Sequence, residues 1–119
     1  MNTNQTVLND FIAKHPFAAA QVLESLPTEE TAAYFETLTI AKSTTLLNFM
    51  DTKKAAECFL YLSPNKSKEL LEKGDVPLIA SILKNLNTSR RKKLLSTVSL
   101  ERVSTINRQL EVLPNTIAS

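Results

Sequence analysis

Few residues of this 119-residue chain belong to the types that perform chemistry, and their spacing decides what they can do. There is one Cys, Cys58, and one His, His15. A single thiol allows neither an intramolecular disulfide nor a CxxC pair, and fits a reducing compartment. One His and one Cys also exclude a His/Cys zinc site within the chain. As a nucleophile Cys58 would need a base at helical spacing, and none is placed there, so it reads as a small core residue. His15 precedes Pro16 and has no acid or nucleophile spaced to work with it, so a capping or turn role suits it. Glu29 and Glu30 form an exposed carboxylate pair. Their charge complements the dipole of a helix starting there, and they can touch a divalent cation if a second surface adds oxygen ligands. The run Ser89-Arg90-Arg91-Lys92-Lys93 is the strongest charge feature. It reads as a solvated helix face, then as a contact for an acidic partner, and last as a phosphate or lipid contact. No set of these residues makes an enzyme site.

The elements that carry them follow from composition and period. A single Gly in 119 residues disfavours tight β-hairpins and phosphate-cradling loops, which depend on Gly. With 43% apolar and 22% charged residues, the chain is expected to be one nearly all-helical domain. Net charge is +2, too mild for a nucleic-acid protein, and the seven aromatics form no stacking pattern beside the basic run. The charge is uneven. Residues 1–60 hold seven acids and four bases, and residues 61–119 five acids and ten bases. No apolar run is long enough to span a bilayer, and the N-terminus lacks the pattern of a signal peptide.

A twelve-residue repeat organises the chain from His15 onward. Position eight of successive units holds Val22, Tyr34, Leu46, Cys58, Leu70, Ile82, Leu94 and Ile106. Position nine holds Leu23, Phe35, Leu47, Phe59, Leu71, Leu83, Leu95 and Asn107, and position twelve Leu26, Leu38, Met50, Leu62, Gly74, Leu86, Val98 and Leu110. That is 22 apolar residues in 24 places, against about ten expected from composition. Positions 5, 8, 9 and 12 make one face of a helix. Twelve residues are not a whole number of 3.6-residue turns, so an unbroken helix would rotate the stripe by about 120° per unit. Each unit must therefore break and restart its helix. Position one supplies the break with the N-cap types Thr39, Asp51, Ser63, Asp75, Asn87 and Ser99. Pro16 and Pro64 follow at the first helical position, where proline is tolerated.

The expected fold is an all-α, right-handed superhelix of about nine short helices: eight of about nine residues, joined by turns of two or three, plus a leading helix over residues 4–13. That leading helix carries Val7, Leu8, Phe11 and Ile12 on one side, and all position-eight residues, Tyr34 included, are assigned to the core. Gly74 interrupts the anchor at position twelve and is expected to be a left-handed helix cap, with a bend between units as the alternative.

The segment His15-Pro16, Ala20, Leu23-Glu24, Leu26-Pro27, Glu29-Glu30, Ala32-Ala33, Phe35 and Leu38 resembles the opening of the N-terminal intracellular domain of MgtE-type magnesium transporters. The likeness extends from about residue 15 to the end. It implies a superhelical, non-catalytic domain that precedes a pair of CBS domains and a membrane pore, and that shares Mg²⁺ with its neighbour through acidic side chains. Residues 1–110 are then the helical-repeat domain. Residues 111–119 start a connector to a missing C-terminal part, and membrane contact comes only through a missing transmembrane domain. The family's acidic cluster, similar to D-D-x-x-D, falls where this chain has Asp75-Val76-Pro77-Leu78-Ile79-Ala80-Ser81. Of that cluster only Asp75 remains, and Ala18 replaces a further acid. Glu29, Glu30 and Asp75 are thus weak candidate metal ligands, and the isolated domain is expected to bind Mg²⁺ weakly or not at all. Arg90, Arg91, Lys92 and Lys93 are the candidate partner contact, toward CBS domains or another protein. The alternative is a protein-interaction module related to the flagellar motor switch protein FliG.

Overall fold

The computed structural model describes residues 3–113, with side-chain surroundings from Thr6 onward. Among the described residues there are nine α-helices and no strands. They are α1 (Thr3–Lys14), α2 (Pro16–Ser25), α3 (Thr28–Thr37), α4 (Ile40–Asn48), α5 (Thr52–Phe59), α6 (Pro64–Lys73), α7 (Val76–Lys84), α8 (Thr88–Leu95) and α9 (Leu100–Val112). Each twelve-residue unit is one helix, and the breaks fall at position one as expected. The joints vary more than expected, from the single residue His15 to the four residues 60–63 and 96–99. Helix α9 runs two residues past 110, and the expected connector beyond 113 lies outside the described residues.

The predicted caps form. Thr39, Asp51, Ser63, Asp75, Asn87 and Ser99 each accept a hydrogen bond from the backbone N–H three residues on, at 2.8–3.3 Å. Such a bond satisfies one of the four N–H groups a helix start leaves open, and is worth about 1 kcal/mol. The first two units differ. His15 and Pro27 sit at the N-caps of α2 and α3 without a side-chain cap bond.

Helices this short gain their stability from packing. Contacts run chiefly between second neighbours, α2 with α4, α3 with α5, α5 with α7 and α7 with α9, and between third neighbours, α1 with α4 and α4 with α7. This pattern is consistent with a superhelical path. The core is built from position nine (Leu23, Phe35, Leu47, Phe59, Leu71, Leu83 and Leu95 are all buried) and from most of positions eight and twelve. Position five is buried and mostly small in the first five units: Ala19, Thr31, Ser43, Ala55 and Ser67. The Thr31 hydroxyl donates to the Leu23 carbonyl at 2.6 Å, joining α3 to α2 where the backbones come close. Two position-eight residues depart from expectation, since Val22 and Tyr34 are 54% and 43% exposed. On α1, Ile12 is buried and Leu8 packs on the core, whereas Val7 and Phe11 remain exposed.

A second periodicity appears only in three dimensions. Position ten of one unit carries a carboxylate that accepts from the backbone N–H at position one three units later. Glu24 takes the Asp51 N–H at 2.6 Å, and Glu36 takes the Ser63 N–H together with its hydroxyl at 2.9 Å. Glu72 takes the Ser99 N–H at 2.9 Å and its hydroxyl at 3.0 Å. A cation at position four of the later unit reaches back to open carbonyls at the end of the earlier helix. Lys54 donates to the Leu26 carbonyl and Lys66 to that of Leu38, both at 2.7 Å. Arg102 donates to Leu71 at 2.7 Å and also to Gly74. Each Glu/cation pair lies thirty residues apart and closes one helix C-terminus onto a later N-terminus; each charge suits the dipole of the helix it reaches, not that of the helix carrying it.

Gly74 is not a left-handed cap. Its φ is −74° and ψ 169°, extended backbone that any residue can adopt and close to the ψ of 159° and 151° at Leu26 and Leu38. Glycine stands there because of space. A Cβ would lie 2.5 Å from the Leu70 carbonyl oxygen and 3.2 Å from two carbons of Ile79. Gly74→Ala is therefore expected to destabilise the fold by about 1–3 kcal/mol, read from urea midpoints at unchanged slope. A neutral change would refute the close-packing account.

The Ser99 backbone N–H, followed by its hydroxyl, holds the Glu72 carboxyl below its ordinary pKa. A depressed folded-state pKa gives stability that is present above the unfolded value and lost as pH falls through the folded one. Glu72→Gln should be less stable than the native chain at neutral pH, with the gap closing as pH falls through the carboxylate range. A gap independent of pH would mean that the charge is not what matters.

Candidate functional site

The basic run lies on α8, whose start is set by Asn87. Its Oδ1 accepts from the Arg90 N–H at 2.8 Å. From that register Arg91 turns inward and the other three cations stay out. Arg91 donates through Nε to the Leu83 carbonyl and through a terminal nitrogen to that of Leu86, both at 3.2 Å. Both acceptors lie at the C-terminal end of α7, where a guanidinium satisfies open carbonyls and suits the dipole. The four-residue candidate thus divides: Arg91 closes α7, and Arg90, Lys92 and Lys93 form an exposed cationic face. The ion pairs among the described residues are Asp10–Lys14 at 3.3 Å and Lys66–Glu69 at 3.2 Å, and neither involves α8. No acid stands in the first turn of α8 to offset its charge.

The candidate metal ligands are not brought together. Glu29 and Glu30 are exposed in the first turn of α3, while Asp75 caps α7 by accepting from the Leu78 N–H at 3.0 Å. Among the described residues no group of three or more His, Cys, Asp or Glu side chains could hold a metal ion. Around Asp75, Leu78, Ile79 and Ala80 are buried hydrophobics, which offer no oxygen ligand. A hard cation needs several oxygens, so the described side chains do not by themselves fit a Mg²⁺ site.

His15 forms the joint between α1 and α2. Its N–H donates to the Phe11 carbonyl at 2.7 Å, its carbonyl accepts from Ala19, and its ring lies 5.7 Å from that of Phe11. Cys58 is 1% exposed at position eight, and burial pushes its thiol up to about 11, with Lys54 opposing and Glu57 adding to the shift.

One surface feature escaped the sequence reading. An open groove of about 690 Å³ lies between α1, α2 and α3, lined by Val7, Phe11, Val22, Leu26, Ala33 and Tyr34 among others. The signal that could have revealed it is the place of Val22 and Tyr34 in the first two units, which have fewer preceding helices to cover them.

Fold and surface together define an all-α helical-repeat domain with a segregated cationic face. The family model of the MgtE intracellular N domain matches residues 14–111, and the chain belongs to that family. No curated protein and no solved structure matches the chain. Among the described residues no helix is long and apolar enough to cross a membrane.

The Cys58 environment makes a direct prediction. The native thiol should react with an aromatic disulfide reagent only through unfolding, at a rate far below that of the denatured chain. Because its folded pKa is raised, stability should fall as pH climbs from about 9 to 11, and Cys58→Ala should lose that alkaline dependence. Rapid stoichiometric labelling of the folded chain at neutral pH would contradict this burial.

Proposed function

We propose that this chain is a non-catalytic intracellular regulatory domain of a magnesium transporter-like or CBS-containing protein, and that it docks on a neighbouring domain to gate or sense Mg²⁺. The observation that carries this reading is the family match over residues 14–111. The cationic face of α8 supplies the docking chemistry: Arg90, Lys92 and Lys93 are exposed and suit an acidic surface. Docking would then be one state of a two-state arrangement, biased by whatever changes the charge of the opposing surface. Mg²⁺ is such an agent, since it neutralises carboxylates on the neighbour and weakens their attraction to α8. The carboxylates that bind it then belong chiefly to the neighbour. Membrane association comes only through other parts of the protein.

Two measurements test the proposal. Titration of this chain with millimolar MgCl₂ should give no saturable heat, and a stoichiometric site would move ion sensing onto the chain itself. In the gene product that joins this domain to its CBS neighbour, reversal of Arg90, Lys92 and Lys93 to Glu should weaken inter-domain contact, read by energy transfer between labels. The native contact should also weaken with added salt. Insensitivity to both reversal and salt would remove α8 as the docking surface. A gene product or operon without CBS or transmembrane segments would favour the free-standing interaction module.

A further inference from the structure

The repeat itself shows what the groove between α1, α2 and α3 is shaped to hold. At position eight, Leu46, Cys58, Leu70, Ile82 and Ile106 are at most 1% exposed and Leu94 is half-buried, while Val22 and Tyr34 are 54% and 43% exposed. A position covered late in the stack and open at its beginning is covered by preceding units. The packing agrees, since α4 meets α1 and α2, and α7 meets α4 and α5. Helices α2 and α3 lack that full set of predecessors. Their position-eight residues, with Val7 and Phe11 of α1, line a groove that elsewhere in the same molecule is occupied by a helix of eight to twelve residues.

We infer that this groove is an interaction site for a short amphipathic helix of another polypeptide, one whose polar face is cationic. The apolar side of the occupant follows from the lining, and its charge from the surroundings. Of the acids on the first three helices, Glu24 and Glu36 hold later helix starts and Asp10 pairs with Lys14, which leaves Glu29 and Glu30 as the exposed charges at the start of α3. Lys54, which reaches Leu26 of the lining, is held there by the Leu26 carbonyl and the Thr28 hydroxyl. Glu30 stands one turn before Ala33 and Tyr34 on the same face of α3, beside the equally exposed Glu29. A helix with apolar residues at i, i+3, i+4 and i+7 and lysines or arginines elsewhere matches both features. The same acidity disfavours a second copy of this end as the occupant, because like charges would meet. The groove uses helices other than α8, so the inference is independent of the proposed docking face.

The test uses the full chain and a three-turn synthetic peptide with leucines at that spacing and lysines elsewhere, beside a glutamate counterpart. The lysine peptide should bind saturably and shift the backbone amide resonances of Val7, Phe11, Val22 and Tyr34. Val22→Asp and Tyr34→Asp should each weaken it about tenfold or more, by placing a charge in an apolar contact. These variants also separate groove binding from mere charge attraction, which an added aspartate would strengthen. Val112→Asp, at an exposed site on α9, should leave binding unchanged, and thermal melts of all variants establish that each remains folded. Equal affinity for the glutamate peptide, shifts confined to other helices, or failure to bind would overturn the proposal. So would concentration-dependent dimerisation abolished by Val22→Asp, which would make a second copy the occupant.

Discussion

A helix of eight to ten residues leaves nearly as many backbone groups open at its ends as it pairs within, and this domain contains a succession of them. Closing those ends is the constraint on which the rest of the structure depends. Part of the solution is local, through the side chain at position one of each later unit. Part is distant, through carboxylates at position ten and cations at position four that join units three apart. Arg91 does the same for α7 from the following helix. Polar side chains that could have been free on the surface therefore act as fasteners, and the apolar stripe closes around them.

This division of labour separates structural charge from available charge. Glu24, Glu36 and Glu72 hold helix starts, and Lys54, Lys66, Arg91 and Arg102 hold helix ends. Among the charges outside this role are the exposed cations of α8 and the exposed glutamates at the start of α3, with others such as Lys53, Lys68, Glu101 and Arg108 spread over the remaining surface. The cations of α8 and the glutamates of α3 lie on helices far apart in the sequence, the first on a polar face and the second beside the apolar groove of α1–α3. The two proposed contacts therefore use different residues.

The period, the breaks and the cap types were all readable as a string, because they express the geometry of single helices. Val22, Tyr34 and Gly74 depart from their expected roles, each for a physical reason, and Arg91 leaves the basic run to close α7. Val22 and Tyr34 match their repeat position, but a repeat position is buried only where a preceding unit exists to cover it. Gly74 suggested a left-handed cap because glycine favours that conformation; what it meets instead is the Leu70 carbonyl and the Ile79 side chain. The thirty-residue Glu/cation pairs left a trace that could have been read. Glu24 with Lys54, Glu36 with Lys66 and Glu72 with Arg102 occur together, whereas Asn48 and Leu78 at the corresponding places lack both charges.

By itself, then, the sequence determined that the chain is all helix, where each helix begins and which side of it is apolar. These follow from interactions within about four residues, which composition and spacing express directly. Only the tertiary structure decided which units touch, and so which charges act as fasteners and which apolar residues stay open. That choice depends on the angle at which one short helix leaves the last. It accumulates over three units before two residues thirty apart can meet, and the first two units expose at position eight what the later ones bury.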